Sequence, residues 1–545
     1  MEKKLNLKYA SEILEGIENL PKGSIVLAKC QTMTGKTTAI LGNNESNIKG
    51  LIDKIGDKTL IYLCNRIALK RQIKLDLCNK YNIPIQTKDG AIDYEWLDKL
   101  EKIQNVTIMS YQSLEEKVRQ REIFKVNCKH WYNCDIFELN YDYIVADEFH
   151  YVLRDASFNG KTRLTFNELN RCWHSNSVLI YMTATDFEVK NVVEAQVKRI
   201  SKLMSDTIDN FKDKYYRYYD GGIDYSYCNI KYFKKYKDIV TTIKNSDNDE
   251  KWIWFASSID GAERRLNSLK EAGVSVEFIS AKENEKVKNE IIETNKFSCK
   301  VLITTSVLDN GVNIKDDKLT NIVIESFDSI TFIQELGRKR MTLNNVSSLN
   351  LYIPMRNSSN FTVKINNTQK EVELIDLFRE DKAKFKKLTD YNISKLGNAF
   401  YFDECDNLKV NLIYYARCLK DINKFTNYSK LLEDDKWFFI KEQLSWLGLE
   451  DTFSASNLIE NVIDNEETQS LEEYLESLIG KRLYKEEQLE LIDRINLRVD
   501  GKQQKSISKM NKGLEMLGIV LKIKSKREDK IINGVRKSTV YWYVE

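Results

Sequence analysis

Short runs of β-branched and aliphatic residues alternate with longer mixed stretches over the first two thirds of the chain. Strands that alternate with helical segments are typical of βαβ units, which build parallel sheets. The first five predicted strands are Ser24–Ala28, Thr59–Leu63, Val106–Met109, Tyr143–Ala146 and Val178–Met182. Five more follow a Tyr-, Asp- and Gly-containing stretch: Trp252–Ala256, Val274–Ile279, Lys300–Thr304, Asn321–Glu325 and Ser348–Ile353. The pattern predicts an α/β fold with two parallel-sheet domains in tandem.

The pattern changes after about residue 357, where Leu, Glu, Lys and Phe recur at helical spacing, as in Leu374–Lys387. Near the end we predict two helices and then two strands around an Asn-Gly turn, which is a hairpin signature. These elements are Glu486–Ile495, Ser506–Leu517, Val520–Lys524 and Thr539–Val544, with the turn at Asn533-Gly534. Helix, helix and basic hairpin is the order of a winged helix. The predicted domains are 1–204, 225–356, a helical accessory region 357–482 and a winged helix 483–545, with a linker at 205–224.

The formal net charge of the 545 residues is only +3, so only local charge can indicate a nucleic-acid partner. Between 502 and 537, eleven basic residues stand against three acidic ones. The residues that we expect to contact phosphates there are Lys505, Lys509, Lys512 and Arg536. A basic solvated surface is the alternative.

Ten cysteines without a C-x-x-C pair do not form a disulfide scaffold, which favours a reducing, cytoplasmic setting. We expect no signal peptide, because no apolar run follows the first charged residues. No stretch approaches the roughly 18 apolar residues of a membrane span, so a membrane is not an expected partner.

A candidate phosphate-binding loop lies between the first predicted strand and a helical segment. Lys36 would reach the β and γ phosphates of ATP, and Thr37 would bind Mg²⁺. Backbone N–H groups of such a loop hold phosphates. The full pattern begins with Gly where Cys30 stands, so the match is incomplete. The residues expected to hold the nucleotide here are Thr32, Met33, Thr34, Gly35, Lys36, Thr37 and Thr38.

Two adjacent carboxylates, Asp147 and Glu148, end the fourth predicted strand. Asp147 would hold Mg²⁺, and Glu148 would polarise the attacking water. The alternative is a strand that ends in surface acids. The pair follows Lys36 after about 110 residues, which leaves room for the βα units between two strands of one sheet.

Six further segments follow in order, and the set resembles the superfamily 2 DExD/H-box (DEAD/DEAH-like) helicases of a bacterial, phage or mobile-element type. They are Cys64–Gln72, Thr107–Leu114, Thr183–Thr185, Trp254–Ser258, Thr304–Ile314 and Gln334–Arg340. The resemblance covers about residues 20–356 and implies two RecA-like domains with ATP and Mg²⁺ in the cleft between them. Met33 stands where many relatives have Gly, and Arg338 and Arg340 are two residues apart where the family often has a spacing of three.

The resemblance implies a role for particular residues. Gln334, Arg338 and Arg340 would complete the catalytic set from the second domain, and His150 would contact Gln334 across the cleft. Gly311 and Asn313 are implied in ATP contact, and the coupling segment is Thr183, Ala184 and Thr185. Those implied in nucleic-acid contact are Asn65, Arg66, Ser110, Tyr111, Gln112 and Thr305.

The predicted function is therefore an ATP-dependent nucleic-acid helicase or translocase. The winged helix favours DNA over RNA, and the composition suits a phage or mobile element, with replication or repair proteins as partners. A monomer is compatible with the sequence, but the oligomeric state stays open. Two alternatives stay open as well: a duplex translocase that remodels bound protein without unwinding, and a DNA-binding regulator that uses ATP as a clamp.

Cysteine and histidine residues cluster at Cys128, His130 and Cys134, with Cys172 and His174 further along. Zinc takes four ligands in a tetrahedral array, and this spacing matches no standard finger. A loop with ordinary thiols is the favoured interpretation, and zinc stays open.

Overall fold

The computed structural model consists of two compact units, Met1–Ile459 and Glu460–Glu545. It describes residues 4–44, 47–65, 67–88, 91–128, 136–155, 162–171, 173–280, 287, 290–291, 294–305, 314–344, 346–392, 396–403, 407–459, 471–472, 474–495, 497–499, 502–516, 519–532 and 535–545.

The first sheet has seven strands in the order β5-β6-β2-β7-β8-β1-β9, and β3 and β4 form a separate hairpin. The strands are β1 Ile25–Lys29, β2 Leu60–Cys64, β3 Thr87–Lys88, β4 Ala91–Ile92, β5 Lys102–Ile103, β6 Val106–Ser110, β7 Tyr143–Asp147, β8 Val178–Thr183 and β9 Tyr216–Asp220. Within the sheet, only the β5–β6 pair is antiparallel. The helices around it are Ala10–Ile13, Lys36–Leu41, Ile67–Lys80, Tyr94–Lys99, Tyr111–Asn127, His150–Asp155, Thr162–Phe166, Phe187–Leu203 and Ile208–Tyr215.

Both faces of this sheet are covered, which explains why its strands are continuous apolar runs. Alternate residues of a strand point to opposite faces. In β1, Val26 and Ala28 therefore join one hydrophobic core, and Ile25 and Leu27 join the other. The carboxyl ends of β1, β7 and β8 lie side by side, because these strands are parallel neighbours.

The second sheet is fully parallel and also has seven strands, in the order β12-β13-β11-β14-β15-β10-β18. The strands of this region are β10 Cys228–Phe233, β11 Lys251–Phe255, β12 Val276–Ile279, β13 Val301–Thr304, β14 Leu319–Ile324, β15 Leu349–Pro354, β16 Phe400–Phe402, β17 Leu408–Val410 and β18 Leu458–Ile459. The helices are Tyr236–Asn245, Ile259–Glu271, Ser329–Leu336, Ser358–Glu380, Lys382–Thr389, Leu412–Asp434 and Phe438–Ser445. The two sheets confirm the predicted tandem of RecA-like domains, and the last four helices form the expected helical region.

The second unit contains the two helices and the hairpin that the sequence predicts, in that order. Its helices are Lys485–Ile495 and Ile507–Met516, and its strands are β19 Arg498–Val499, β20 Lys502–Gln503, β21 Ile523–Ile532 and β22 Val535–Val544. The unit has a core of its own, to which Leu491, Met510, Leu514, Ile523 and Val544 belong. The turn at Asn533-Gly534 lies outside the described residues.

Several segments differ from the sequence-based expectation. The segment 205–224, expected as a linker, contains the helix Ile208–Tyr215 and the edge strand β9, which pairs in parallel with β1. Its aromatic residues favour a strand, although the Asp and Gly that follow suggest a turn. The helix expected over Leu374–Lys387 is broken at Asp381, whose carboxylate caps the next helix. β18, from the region expected to be helical, joins the second sheet. The predicted domain boundaries otherwise stay predictions.

In the part of the chain that the structure describes, no helix combines the length and the apolar character needed to span a membrane.

Candidate active site

The loop between β1 and the helix Lys36–Leu41 lies at the carboxyl edge of the first sheet. Two of its residues have left-handed backbone, Met33 with φ 76° and Gly35 with φ 78°. Such a conformation costs a residue other than Gly roughly 1–2 kcal/mol. This strain explains why Gly suits the position that Met33 occupies here.

Lys36 and Glu148 form an ion pair at the end of β7. Lys36 Nζ lies 2.7 Å from Glu148 Oε1 and donates to the backbone oxygen of Cys30 at 3.2 Å. Glu148 itself has left-handed backbone, with φ 49°. Left-handed residues concentrate at functional sites, where the surrounding structure compensates their strain.

Asp147 is almost completely buried and is held by two tyrosines. The Tyr62 hydroxyl donates to Asp147 Oδ2 at 2.7 Å, and the Tyr111 hydroxyl donates to the backbone oxygen of Asp147 at 2.7 Å. Burial and the charge of Glu148 raise the pKa of Asp147 to about 6. Burial and the charge of Asp147 raise the pKa of Tyr62 well above its ordinary value, so Tyr62 stays a donor at neutral pH.

The surroundings of Asp147 fit a divalent cation. Among the described residues, Asp147 Oδ1 is buried and has no hydrogen-bond partner. A desolvated carboxylate oxygen is costly unless a donor or a cation compensates it. The Thr37 hydroxyl lies 3.5 Å from the same Tyr62 hydroxyl that contacts Asp147. Thr37 and Asp147 are therefore brought together, as the sequence predicts for Mg²⁺, which takes oxygen ligands.

A chain of hydrogen bonds crosses from the first RecA-like domain to the second through His150. The Thr183 hydroxyl donates to the backbone oxygen of Thr185 at 2.7 Å, so at His150 Nδ1, 2.9 Å away, it acts as acceptor. The His150 ring therefore carries its proton on Nδ1 and accepts at Nε2 from the Gln334 side-chain amide. His150 Nδ1 also lies 3.3 Å from Glu148 Oε2, which places the chain beside the carboxylates.

Arg338 and Arg340 are positioned by a short parallel bridge between Ile314 and Lys339. Ile314 N donates to the Arg338 oxygen and Arg340 N donates to the Ile314 oxygen, each at 2.9 Å. Arg338 lies in the turn that follows the helix Ser329–Leu336, and Arg340 lies just after the bridge. Between them, Lys339 Nζ donates to the Leu319 oxygen.

The charges around Arg340 include those of the first domain. Burial and the neighbouring Arg338 lower the pKa of Arg340 to about 10, and the Glu148 and Asp147 carboxylates oppose this shift. Arg340 therefore lies within the electrostatic reach of both carboxylates, across the cleft.

The second domain also packs directly on the phosphate-binding loop. A Cβ added at Gly337 would lie 2.8 Å from Thr32 Cγ2 and 2.9 Å from Thr32 Oγ1, so only Gly fits this contact. Gln31, which is fully buried, exchanges two hydrogen bonds with the backbone of Asp224, at 2.7 and 3.1 Å. Thr32 and Gln31 thus line the junction between the two domains.

The predicted nucleic-acid contacts are placed unevenly. Gln112 is exposed, Thr305 is half-buried, and Asn65 is buried. Ser110 is buried and caps the helix Tyr111–Asn127. Tyr111 is fully buried, with its hydroxyl on Asp147. The Ser110 and Tyr111 side chains serve the helix cap and the strand end here, and the expected nucleic-acid contact at these two residues stays a prediction.

The other predicted residues divide as follows. Thr34 and Ala184 are buried, and Thr38 is half-buried. In the second unit, Lys505 lies exposed just before the helix Ile507–Met516, and Lys509 and Lys512 are exposed on it. Outside the described residues lie Arg66, Gly311, Asn313 and the side chain of Arg536.

The Cys and His cluster is only partly described, because His130, Cys134 and Cys172 lie outside the described residues. His174 Nε2 lies 2.9 Å from the backbone oxygen of Glu168, and burial lowers the pKa of His174. Among the described residues, no group of three or more His, Cys, Asp or Glu side chains could hold a metal ion. The zinc question stays open.

Two residues around the site, Tyr62 and Gln31, were not predicted from the sequence as parts of it. The contact of Tyr111 with Asp147 was not predicted either. Tyr62 could have been found, since a tyrosine within a fully buried strand requires a partner for its hydroxyl. Gln31, a polar residue directly after a buried strand, carries a weaker indication of the same kind.

Two family models match the chain, one on each RecA-like domain. The model "Type III restriction enzyme, res subunit" matches residues 6–188, and "Helicase conserved C-terminal domain" matches residues 234–340. None of the curated proteins matches the chain.

Among solved structures, the chain is similar to S. cerevisiae Dbp5 bound to RNA and ADP BeF3, with 17% identity, 63% of this chain and 87% of that chain covered and a TM-score of 0.39. It is also similar to the Mycobacterium smegmatis helicase Lhr bound to ssDNA and AMP-PNP, with 14% identity and a TM-score of 0.41. That match covers 67% of this chain and 48% of that chain. A third similar structure is the DUF1998 helicase MrfA bound to DNA, with 18% identity and a TM-score of 0.41. This match covers 66% of this chain and 50% of that chain.

The two family models follow each other in the order of a helicase core, on the two parallel sheets described above. Residues 6–188 and 234–340 together form the core of a superfamily 2 helicase.

Proposed function

We propose that this protein hydrolyses ATP with Mg²⁺ in the cleft between its RecA-like domains and uses the cycle to move along or unwind DNA. The observation that carries the proposal is the continuous set of contacts from Lys36 through Glu148 and His150 to Gln334. It joins the phosphate-binding loop of one domain to the last motif of the other.

In this proposal the first domain binds the triphosphate and its metal. Lys36 pairs with the β and γ phosphates, and Thr37 and Asp147 hold Mg²⁺. When bound, Mg²⁺ neutralises charge that develops on the phosphoryl oxygens. Glu148 accepts a proton from the attacking water, because its carboxylate lies at the same edge of the sheet.

The second domain supplies the arginine that stabilises the transition state, and we assign this role to Arg340. Its guanidinium lies within reach of the charges of Glu148 and Asp147. Arg338 is close enough for its charge to lower the pKa of Arg340, and it would bind phosphate charge beside it. An arginine delivered across the cleft makes hydrolysis depend on closure of the two domains.

His150 and Thr183 would couple that closure to the nucleic acid. Thr183 ends β8 and begins the Thr-Ala-Thr segment, and His150 links it to Gln334. A movement of the second domain that breaks the Gln334 contact would remove this hydrogen bond and uncouple the Thr-Ala-Thr segment from the second domain.

DNA is the proposed substrate because of the second unit. Its order of helices and hairpin is that of a winged helix, and Lys505, Lys509 and Lys512 are exposed there. Lysines that pair with phosphates release counterions, which makes binding sensitive to salt. The bacterial or phage origin and a role in replication or repair stay predictions.

The proposal is tested by ATP turnover measured without nucleic acid and with single-stranded DNA, duplex DNA or RNA of equal length. We expect DNA to stimulate turnover more than RNA at equal salt, and the stimulation to fall as salt rises. Stimulation by RNA alone would contradict the DNA assignment. Turnover that no nucleic acid changes would contradict the proposed motor function.

A further inference from the structure

Tyr62 occupies the centre of β2 and is fully buried. Its hydroxyl contacts both side chains that we propose as Mg²⁺ ligands: it donates to Asp147 Oδ2 at 2.7 Å and lies 3.5 Å from Thr37 Oγ1. We infer that Tyr62 is a positioning residue for the Mg²⁺ site, whose hydroxyl fixes the Asp147 carboxylate and leaves Oδ1 for the cation. The inference rests on the proposed function.

The two oxygens of Asp147 are in different situations, which supports this role. Oδ2 accepts the Tyr62 hydroxyl, whereas Oδ1 is buried without a hydrogen-bond partner among the described residues. A carboxylate bound through one oxygen cannot rotate freely about its Cβ–Cγ bond. Groups that orient a metal ligand in this way raise the affinity of the site without touching the metal.

The backbone of Asp147 is fixed as well. The Tyr111 hydroxyl donates to its carbonyl oxygen at 2.7 Å, and β7 pairs with β2 and β8 on either side. The remaining freedom of Asp147 is therefore in its side chain. The Tyr62 hydroxyl restrains that freedom.

A purely structural role must be distinguished, because buried tyrosines generally find a hydroxyl partner. Tyr181 provides the comparison. It lies on β8 of the same sheet, is also fully buried, and its hydroxyl donates to the Leu169 oxygen at 2.9 Å and lies 3.0 Å from Gln196 Oε1. Tyr181→Phe thus removes a hydroxyl of the same kind without touching Asp147.

The experiment measures binding of the fluorescent nucleotide mant-ADP, first in EDTA and then in a MgCl₂ titration, for the full chain. We expect Tyr62→Phe to leave the affinity in EDTA within about 2-fold of wild type and to raise the half-maximal Mg²⁺ concentration on the order of 10-fold or more. Tyr181→Phe should leave both values within about 2-fold. Melting temperatures of the two variants check that each is folded, which is expected since each loses one oxygen and keeps its ring.

A double variant tests whether Tyr62 acts through Asp147. In an Asp147→Asn background, Tyr62→Phe should add no further change to the Mg²⁺ response, because coupled residues are not additive. An unchanged Mg²⁺ response in Tyr62→Phe, an equal shift in Tyr181→Phe, or a full additional shift in the double variant would overturn the inference. If wild-type protein does not bind mant-ADP, or binds it without regard to Mg²⁺, the proposed function itself fails, which is a different result.

Discussion

The two arginines of the last motif show how a single residue's surroundings decide its role. Arg338 lies in the turn after the helix Ser329–Leu336, and Arg340 follows two residues later, beyond Lys339, whose amine donates to the Leu319 oxygen. Arg338 is nevertheless close enough to lower the pKa of Arg340. The unusual spacing is therefore compatible with an arginine pair at the site.

Arg340→Ala should reduce the nucleic-acid-stimulated turnover number on the order of 10³-fold, as the loss of an arginine finger does. Arg338→Ala should have a smaller effect, since we assign the role of the arginine finger to Arg340. Nucleotide affinity should change little in Arg340→Ala. The measurement is steady-state ATP turnover, with Arg264→Ala, at an exposed arginine of the second domain, as the control. A larger loss in Arg338→Ala than in Arg340→Ala would reverse the assignment.

At the scale of elements, the sequence predicted ten of the fourteen strands of the two large sheets to within about two residues, because buried parallel strands are continuous apolar runs. It did not predict β5, β9, β10 and β18. Of these, β5, β9 and β18 lie at sheet edges, where strands are short or rich in tyrosine and polar residues. A strand that is buried on only one face gives a weaker apolar pattern in the sequence than a strand that is buried on both faces.

The candidate site was predicted in part. Lys36 and Thr37 were predicted because a motif marks the start of a helix after a buried strand, and Asp147 and Glu148 because a motif marks the end of a strand. Tyr62 was not, because no motif contains it and its partner lies on another strand, 85 residues away along the chain. Contacts that depend on strand order in a sheet cannot be read from local spacing.

The turn after the helix Ser329–Leu336 is the element that meets the phosphate-binding loop, at Gly337 and Thr32. Gly337→Ala should raise the KM for ATP about tenfold, because overpacking a close contact typically costs about 1–3 kcal/mol. Gly337 has φ −70°, which alanine adopts freely, so the effect would be steric. ATP turnover against ATP concentration measures it.

The compensating change is Thr32→Ala, which removes the two atoms nearest to the added Cβ. The KM for ATP of the double variant should therefore return part of the way to the wild-type value, and Thr32→Ala alone serves as its control. A Gly337→Ala variant with wild-type kinetics would show that the two domains do not approach this closely during turnover.

At the scale of the whole molecule, the chain combines a helicase core with its helical region, up to Ile459, and a small second unit with its own core. The net charge of +3 conceals the basic residues between 502 and 537, since acidic residues elsewhere in the chain, many of them in the same unit, offset them. Composition alone therefore could not indicate a nucleic-acid partner. The ordered motifs and the two sheets carry that conclusion.

The central claim is that Glu148, held beside Lys36 and His150, activates water for ATP hydrolysis in the interdomain cleft. The most direct test is DNA-stimulated ATP turnover of Glu148→Gln, with mant-ATP binding measured beside it. We predict a loss of at least about 100-fold in turnover, in line with the removal of a general base, with nucleotide binding retained. Hydrolysis at the wild-type rate would contradict the account.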